Sequence, residues 1–244
     1  GAALSFAGLV LFIYALSTGG NFGWASQRRL GSFTASFVLL AGFFVREAKC
    51  REPLLEFRLF RNFHFSAAMA STLFAYMLLA GNSFLLPFYL EAGKKLPTPA
   101  VGLIIMIYSI TYMAVGPFAG RISDRMRPSM LCAFAMLSAA LCSFVFAFTL
   151  DMPGLVPVVI FLVWIAFSFG FFISPNNNQV MRLAPAHKQG SASGVFNTIN
   201  SLGLALGVCI FESLMSRSAT GGGISALKTA GLAGYRHAYL FGGI

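Results

Sequence analysis

Residues that could do chemistry are concentrated in one short polar stretch near the middle of the chain. Gly120 ends a long apolar run, and Asp124, Arg125 and Arg127 follow it. A glycine at this point permits close contact between helices. Asp124 lies just ahead of the next apolar run, where a carboxylate can cap the free N–H groups of a helix and interact with its dipole. The two arginines can pair with Asp124 or with lipid phosphates. An ordinary positively charged loop is the alternative interpretation.

Ionisable residues inside apolar runs are the default proton carriers of membrane proteins. No Asp, Glu, Lys or Arg lies between the ends of the long apolar runs, and only Glu91 and Glu212 come near them. Both are candidate proton sites near external helix ends. The competing interpretation, which we favour, makes each an interfacial carboxylate in contact with solvent.

A polar face is predicted on the last long run. Ser193, Asn197 and Asn200 fall within about 60° of one another over about 10 Å of helix axis. Asparagines facing lipid would lose their hydrogen bonds to water, so this face should point at a neighbouring helix or a water-filled cavity. We take the three residues, with Tyr108 and Tyr112, as a candidate substrate path. Hydrogen bonding between helices is the equally weighted alternative.

The same run contains a Gly-x-x-x-Gly pattern at Gly203 and Gly207, which is typical of a face that packs closely against another helix.

Metal and enzyme chemistry are not indicated. The four cysteines form no Cys-x-x-Cys pair, and the three histidines are far apart in sequence. No Ser/His/Asp set or carboxylate pair suggests hydrolysis. We therefore expect no enzyme, no cofactor and no metal.

The composition identifies the elements that must position these residues. Of 244 residues, 57% are hydrophobic and only 10% are charged, whereas soluble domains carry roughly 25% charge. Such a chain could not cover its own surface with polar groups. Its net charge of +10 comes from cations placed between apolar runs, which indicates membrane topology and excludes nucleic-acid binding.

The charge-free runs cover 1–27, 30–45, 66–90, 96–120, 128–150, 152–181 and 189–211, and an eighth begins at Ala238. A bilayer core of roughly 30 Å needs about 20 helical residues, so the short second run must borrow flanking residues. Backbone groups in lipid must be satisfied within each segment. The sequence therefore predicts an all-α polytopic membrane protein with about seven transmembrane helices and the start of an eighth.

Three parts are predicted along the chain. Residues 1–46 form two transmembrane helices, and 66–244 form a helix bundle whose last helix is truncated. Between them, 47–65 mix charge with Leu and Phe at helical spacing, which is typical of an amphipathic connector. The loops after the second, fourth and sixth runs hold more Lys and Arg than the opposite set. This bias places them, and the connector, in the cytoplasm.

The polar stretch resembles the signature loop of the major facilitator superfamily, Gly-x-x-x-Asp-Arg-x-Gly-Arg-Arg, in its C-terminal-half copy. Gly120, Asp124 and Arg125 match, whereas Arg127 stands in place of the second glycine. Residues 52–62 are similar to the "EPLLDLRLFRN" connector of the fourteen-helix drug:proton antiporter branch. Residues 174–178 and 190–198 resemble the same branch.

This resemblance implies the C-terminal bundle of a secondary transporter, preceded by two linker helices. It also implies that the chain is a fragment that lacks an N-terminal six-helix half. Because no Asp or Glu lies between the ends of the long apolar runs, we predict that the main proton site lies in that half. The implied function is proton-coupled efflux of drugs or other amphipathic small molecules by alternating access in the cell (inner) membrane. The implied partners are the lipid bilayer, a small-molecule substrate, protons and the missing half. A transporter of one specific metabolite and a non-transporting membrane scaffold are the alternatives.

Overall fold

A computed structural model describes residues 7–8, 10–12, 27–49, 60–185, 189–216 and 232–243. Side chains at a few positions inside these ranges, among them Asp124 and Arg125, lie outside the description. Seven helices with defined bounds follow one another: α1 Gln27–Lys49, α2 Phe63–Phe88, α3 Thr98–Arg125, α4 Pro128–Thr149, α5 Val156–Leu183, α6 Gln189–Ser216 and α7 Leu232–Gly242. The turn Tyr89–Gly93 continues α2 as a π-helix.

Five of the described helices are long and apolar enough to cross a bilayer: Phe63–Gly93, Thr98–Ser123, Pro128–Thr149, Val156–Leu183 and Gln189–Met215. They match the third to seventh predicted runs, which confirms the all-α polytopic fold. Most of the first predicted run lies outside the described residues. The second corresponds to α1, which extends beyond the charge-free run at both ends, as its shortness required.

The predicted connector is shorter at both ends than the sequence indicated. Helix α1 continues to Lys49, and α2 begins at Phe63 instead of residue 66. The earlier start of α2 has a local cause, because Asn62 Oδ1 accepts a hydrogen bond from the backbone N–H of His64 at 3.0 Å. This contact satisfies one of the free donors of the first turn. Residues 50–59 lie outside the described part.

The first two runs contact each other near the N-terminus. The hydroxyl of Ser36 on α1 donates to the backbone oxygen of Gly8 at 2.8 Å. The rings of Phe12 and Phe33 meet edge to face, with centroids 5.9 Å apart. The described residues of the first segment therefore contact α1, while the prediction of two linker helices in residues 1–46 stays a prediction.

Packing in the bundle follows three main pairs of helices. Helix α2 packs chiefly against α6, and α5 packs against both α3 and α4. The short α7 packs against α4 and α6. Outward side chains of α4 such as Phe134 and Leu137 are apolar and exposed, by 61% and 67%. An apolar outer surface is what a lipid-facing bundle requires.

The contact between α2 and α6 is made at the predicted glycine face. A Cβ atom on Gly207 would lie 2.3 Å from the backbone oxygen of Met77, and one on Gly203 would lie 2.8 Å from that of Leu73. Only glycine allows two helix backbones to approach so closely. The prediction of a close-packing face at Gly203 and Gly207 is confirmed.

Polar contacts join three segments at one end of the bundle: the end of α2, the turn after α4 and helix α7. The Tyr89 hydroxyl donates to the Leu150 backbone oxygen at 2.8 Å, and the Lys94 ammonium donates to that of Met152. Arg236 on α7 forms an ion pair with Asp151. Segments that the charge bias assigned to one side of the membrane thus meet at one end. Helix α7 begins at Leu232, before the apolar run at Ala238, and so includes this arginine.

Candidate functional site: a tyrosine-lined cavity

An open cavity of about 670 Å³ lies between α2, α3, α5 and α6. Its wall is apolar except for Ser83 and three tyrosines, Tyr76, Tyr108 and Tyr112. The described lining residues include no Asp, Glu, Lys, Arg or His. A volume of this size falls in the range of pockets for drug-sized molecules. The arrangement can bind a neutral or weakly polar ligand, or a delocalised cation against ring faces.

Tyr108 and Tyr112 form one wall of this cavity. They are four residues apart on α3 and therefore share a helix face. Their rings are nearly parallel, at 11°, with centroids 6.1 Å apart. The sequence analysis placed both in a substrate path, and the structure places both on the cavity wall. It missed Tyr76, which faces them from α2, because a single tyrosine in an apolar run gives no periodic signal.

The predicted polar face of α6 divides in two. Asn197 is exposed, whereas the amide oxygen of Asn200 is buried and has no hydrogen-bond partner among the described residues. Ser193 is half-buried. At 100° per residue, Asn197 falls within about 20° of Leu204 and Val208, which line the cavity. Asn197 therefore lies on the same face of α6 as these two residues, about two helical turns before the part of that face that lines the cavity.

We expect Asn197→Cys, in a protein that otherwise lacks cysteines, to react with a small, charged thiol reagent. The reason is that position 197 is exposed and lies on the helix face that lines the cavity. Ethidium, as a trial ligand of the cavity, should slow the reaction. Ala192→Cys is the matched control on the same helix, because Ala192 is fully buried and should stay unlabelled. If the thiol at position 197 is inert in every state, the cavity interpretation fails and Asn197 is structural.

The charged stretch at the end of α3 has a different secondary structure from the one predicted. Helix α3 continues through Arg125, so Asp124 lies in its last turn. The N-cap position of α4 is Arg127, which is extended and makes no side-chain cap. The reason is Pro128, which starts α4 and excludes a helical conformation for the residue before it. Arg127, and not Asp124, therefore holds the N-cap position, and a contact of the Asp124 side chain with α4 stays a prediction.

Gly120 is also placed differently from the prediction. No atom of the described residues lies within 4 Å of a Cβ built on it, apart from its own helix backbone and chain neighbours. The close helix contact expected at this glycine is therefore not made in the described part of the chain. Arg127 is exposed.

Neither candidate proton site lies at mid-span. Glu91 lies in the π-helical turn at the end of α2, is half-buried, and accepts a hydrogen bond from the Thr98 hydroxyl at 3.1 Å. Glu212 is half-buried near the end of α6. These positions fit the interfacial interpretation. A proton-carrying role for either residue stays a prediction.

Two buried asparagines were missed by the sequence analysis. Asn176 on α5 donates from Nδ2 to the Thr72 hydroxyl oxygen at 2.6 Å and so joins α5 to α2. Asn82 on α2 is also buried. Asn82 is a single amide in an apolar run, and Asn176 begins a run of three asparagines. Neither pattern indicates which neighbouring helix the side chain meets.

Comparison with known proteins gives a consistent set of relatives. The sequence profile of the Major Facilitator Superfamily matches residues 1–208. The chain is 30% identical to the riboflavin transporter RibZ of Clostridioides difficile, over 75% of this chain and 40% of that protein. It is 21% identical to the lincomycin resistance protein LmrB of Listeria monocytogenes, over 99% of this chain and 52% of that protein. It is 22% identical to the multidrug resistance protein Stp of Mycobacterium tuberculosis, over 84% and 38%. The chain spans about half the length of these curated relatives, or less.

Proposed function

The chain belongs to the Major Facilitator Superfamily, and we propose that it forms the C-terminal bundle of a transporter that exports amphipathic small molecules in exchange for protons. The observation that carries this proposal is the cavity of about 670 Å³ lined by three tyrosines and apolar side chains. Its described wall offers no charged group to select an ionic metabolite, and its ring faces suit planar or cationic apolar molecules. Drug resistance proteins among the relatives support this substrate class.

Alternating access requires a second bundle, against which this one rocks around a shared site. In our proposal an N-terminal bundle supplies the opposite wall of the cavity and the main proton carrier. The described spans hold no Asp or Glu at mid-depth, and Glu91 lies at a helix end. Residues 1–46 then serve as linker helices and 47–65 as a cytoplasmic connector in the cell (inner) membrane.

Export or import of riboflavin is the second candidate function. The relative with 30% identity is named a riboflavin transporter. The nearly parallel rings of Tyr108 and Tyr112 suit a planar aromatic ring system, since aromatic groups prefer offset stacking or edge contacts. This candidate function uses the same cavity and differs from the first only in the substrate that the protein selects. A non-transporting membrane scaffold is the third possibility and needs no cavity.

The deciding experiment is transport by a full-length protein containing this chain, reconstituted in liposomes with an imposed pH gradient. Proton-driven movement of ethidium in preference to riboflavin supports the drug exporter. Preference for riboflavin supports the second candidate. Absence of transport of either, in protein that remains folded, contradicts the proposal and leaves the scaffold. The 244-residue chain alone should transport neither, because it provides one bundle.

Asp124→Asn is expected to slow proton-driven ethidium transport several-fold while changing stability by no more than about 1 kcal/mol, the usual scale of a point substitution. In our proposal the stretch from Gly120 through Arg127 holds the cytoplasmic side of the bundle in one state of the cycle. Asp151→Asn is the matched control, since it makes the same change at the opposite end, where Asp151 pairs with Arg236. Unchanged transport with normal expression in Asp124→Asn would show that the stretch is an ordinary loop.

A further inference from the structure

Asn82 is a buried amide without a partner. It is only 7% exposed, and the described residues offer no hydrogen bond to its Nδ2 or its Oδ1. Asn176 provides the contrast, because its equally buried amide bonds to Thr72. Buried polar groups in native proteins are nearly always hydrogen-bonded, so an amide with both atoms unpaired needs an explanation. A leucine at position 82 would serve packing alone better than an asparagine.

The Asn82 side chain lines a recess of about 80 Å³ between α2, α3 and α5. The recess adjoins the tyrosine-lined cavity, with which it shares Leu79, Ser83 and Tyr108. Its remaining wall is apolar and includes Phe169 and Ile165. The recess is too small for a drug-sized molecule. Its volume fits the polar edge of a ligand whose body occupies the cavity. Because Nδ2 and Oδ1 of Asn82 are themselves covered, that edge reaches them only when a side chain of the recess wall moves aside.

The chemistry of the recess defines the group it would take. Oδ1 is an acceptor and Nδ2 a donor, side by side in one plane. A ligand with an adjacent N–H and C=O can pair with both, which is the arrangement in a lactam or an imide. The described wall of the recess holds no charged side chain, and a buried charge without a partner would be costly. The complementary group is therefore neutral.

We propose that Asn82 anchors a polar subsite that binds the lactam or imide edge of a substrate by a two-point hydrogen bond. This inference rests on the proposed function, because the ligand body would occupy the tyrosine-lined cavity. It adds a substrate class to that function: amphipathic molecules with a neutral amide edge. Tyr108 borders both spaces and would contact the ligand where its body meets its edge.

The test uses two fluorescent probes, 1,8-naphthalimide and N-methyl-1,8-naphthalimide, which differ only by a methyl group on the imide nitrogen. Their binding to the complete 244-residue chain in lipid nanodiscs is measured by fluorescence titration. The unmethylated probe should bind about tenfold more tightly, because methylation removes one hydrogen bond to a buried group. In Asn82→Leu and in Asn82→Ala, the ratio of the two affinities should fall to about one.

Asn176→Leu is the matched control. It removes a buried amide of the same kind outside the recess, so the tenfold ratio should remain. Its melting temperature should fall, since it loses the bond to Thr72. That of Asn82→Leu should not fall, because no hydrogen bond is lost, and this variant should therefore fold.

A ratio near one in the unsubstituted chain would overturn the subsite, as would a ratio that survives both substitutions at position 82. Failure of the unmethylated probe to bind saturably would also overturn it. Ethidium transport by the unsubstituted full-length protein separates this inference from the proposed function. Transport with a ratio of one refutes the subsite alone. If the affinity ratio is tenfold and depends on Asn82, but the full-length protein does not transport ethidium, the proposed exporter function is refuted and the subsite is not.

Discussion

Gly207→Leu is expected to lower the melting temperature of the chain by about 10 °C. Even the Cβ atom would lie 2.3 Å from the Met77 backbone oxygen and 2.8 Å from the Met77 Cα atom. Backbone atoms cannot rotate out of the way, so α2 and α6 must separate along their contact. Overpacking a core costs about 1–3 kcal/mol or more, and each kcal/mol corresponds to about 2–4 °C for a domain of this size.

Gly194→Leu is the matched control, because it makes the same change on the same helix. No atom of the described residues lies within 4 Å of a Cβ built there, beyond its own helix backbone and chain neighbours. Melting is followed with a thiol-reactive fluorophore, which reports exposure of the buried Cys132 and Cys142. Equal melting temperatures for the two variants would show that the close contact at Gly207 does not support the bundle.

The positions of the helices could be predicted because burial in lipid is a local requirement. A run without charge and long enough to cross the bilayer has to be a helix, whatever its neighbours are. The exact ends depend on local chemistry that hydropathy does not record. Asn62 starts α2 early by capping it. Pro128 sets the break after α3 and leaves Asp124 in the helix instead of at a cap.

For the contact between α2 and α6, the sequence identified the residues of one helix but not those of its partner. The glycines at 203 and 207 indicated a close approach, but nothing in their own segment identifies Met77 and Leu73 as the backbone they meet. Such pairing depends on how all the helices fit together. A glycine outside the contact looks the same in sequence, as Gly120 shows.

The candidate site was only partly predictable for the same reason. Tyr108 and Tyr112 are a helical pair that is visible in sequence, whereas Tyr76 and Asn82 come from another helix. Their positions on the walls of the cavity and the recess become apparent only when α2, α3 and α5 are packed together. The helical pattern also could not show that Asn197 and Asn200 would divide between an exposed and a packed side of α6.

Tyr108→Ala is expected to reduce proton-driven ethidium transport at least tenfold. The ring borders both the cavity and the recess. In our proposal its removal deletes a stacking surface for the substrate. Truncation of an aromatic anchor in a binding site typically costs 2 kcal/mol or more, which is above tenfold in affinity. Tyr108→Phe keeps the ring and should retain most of the transport.

The most direct test of the proposed site is the initial rate of proton-driven ethidium transport by reconstituted full-length protein carrying Tyr108→Ala or Phe74→Ala. Phe74 is 61% exposed and lies about 160° around α2 from Tyr76. The substitution Phe74→Ala therefore removes an aromatic ring that faces away from the cavity. We expect the rate to fall at least tenfold in Tyr108→Ala and to stay near that of the unsubstituted protein in Phe74→Ala. An unchanged rate in Tyr108→Ala would contradict the assignment of this cavity as the substrate site.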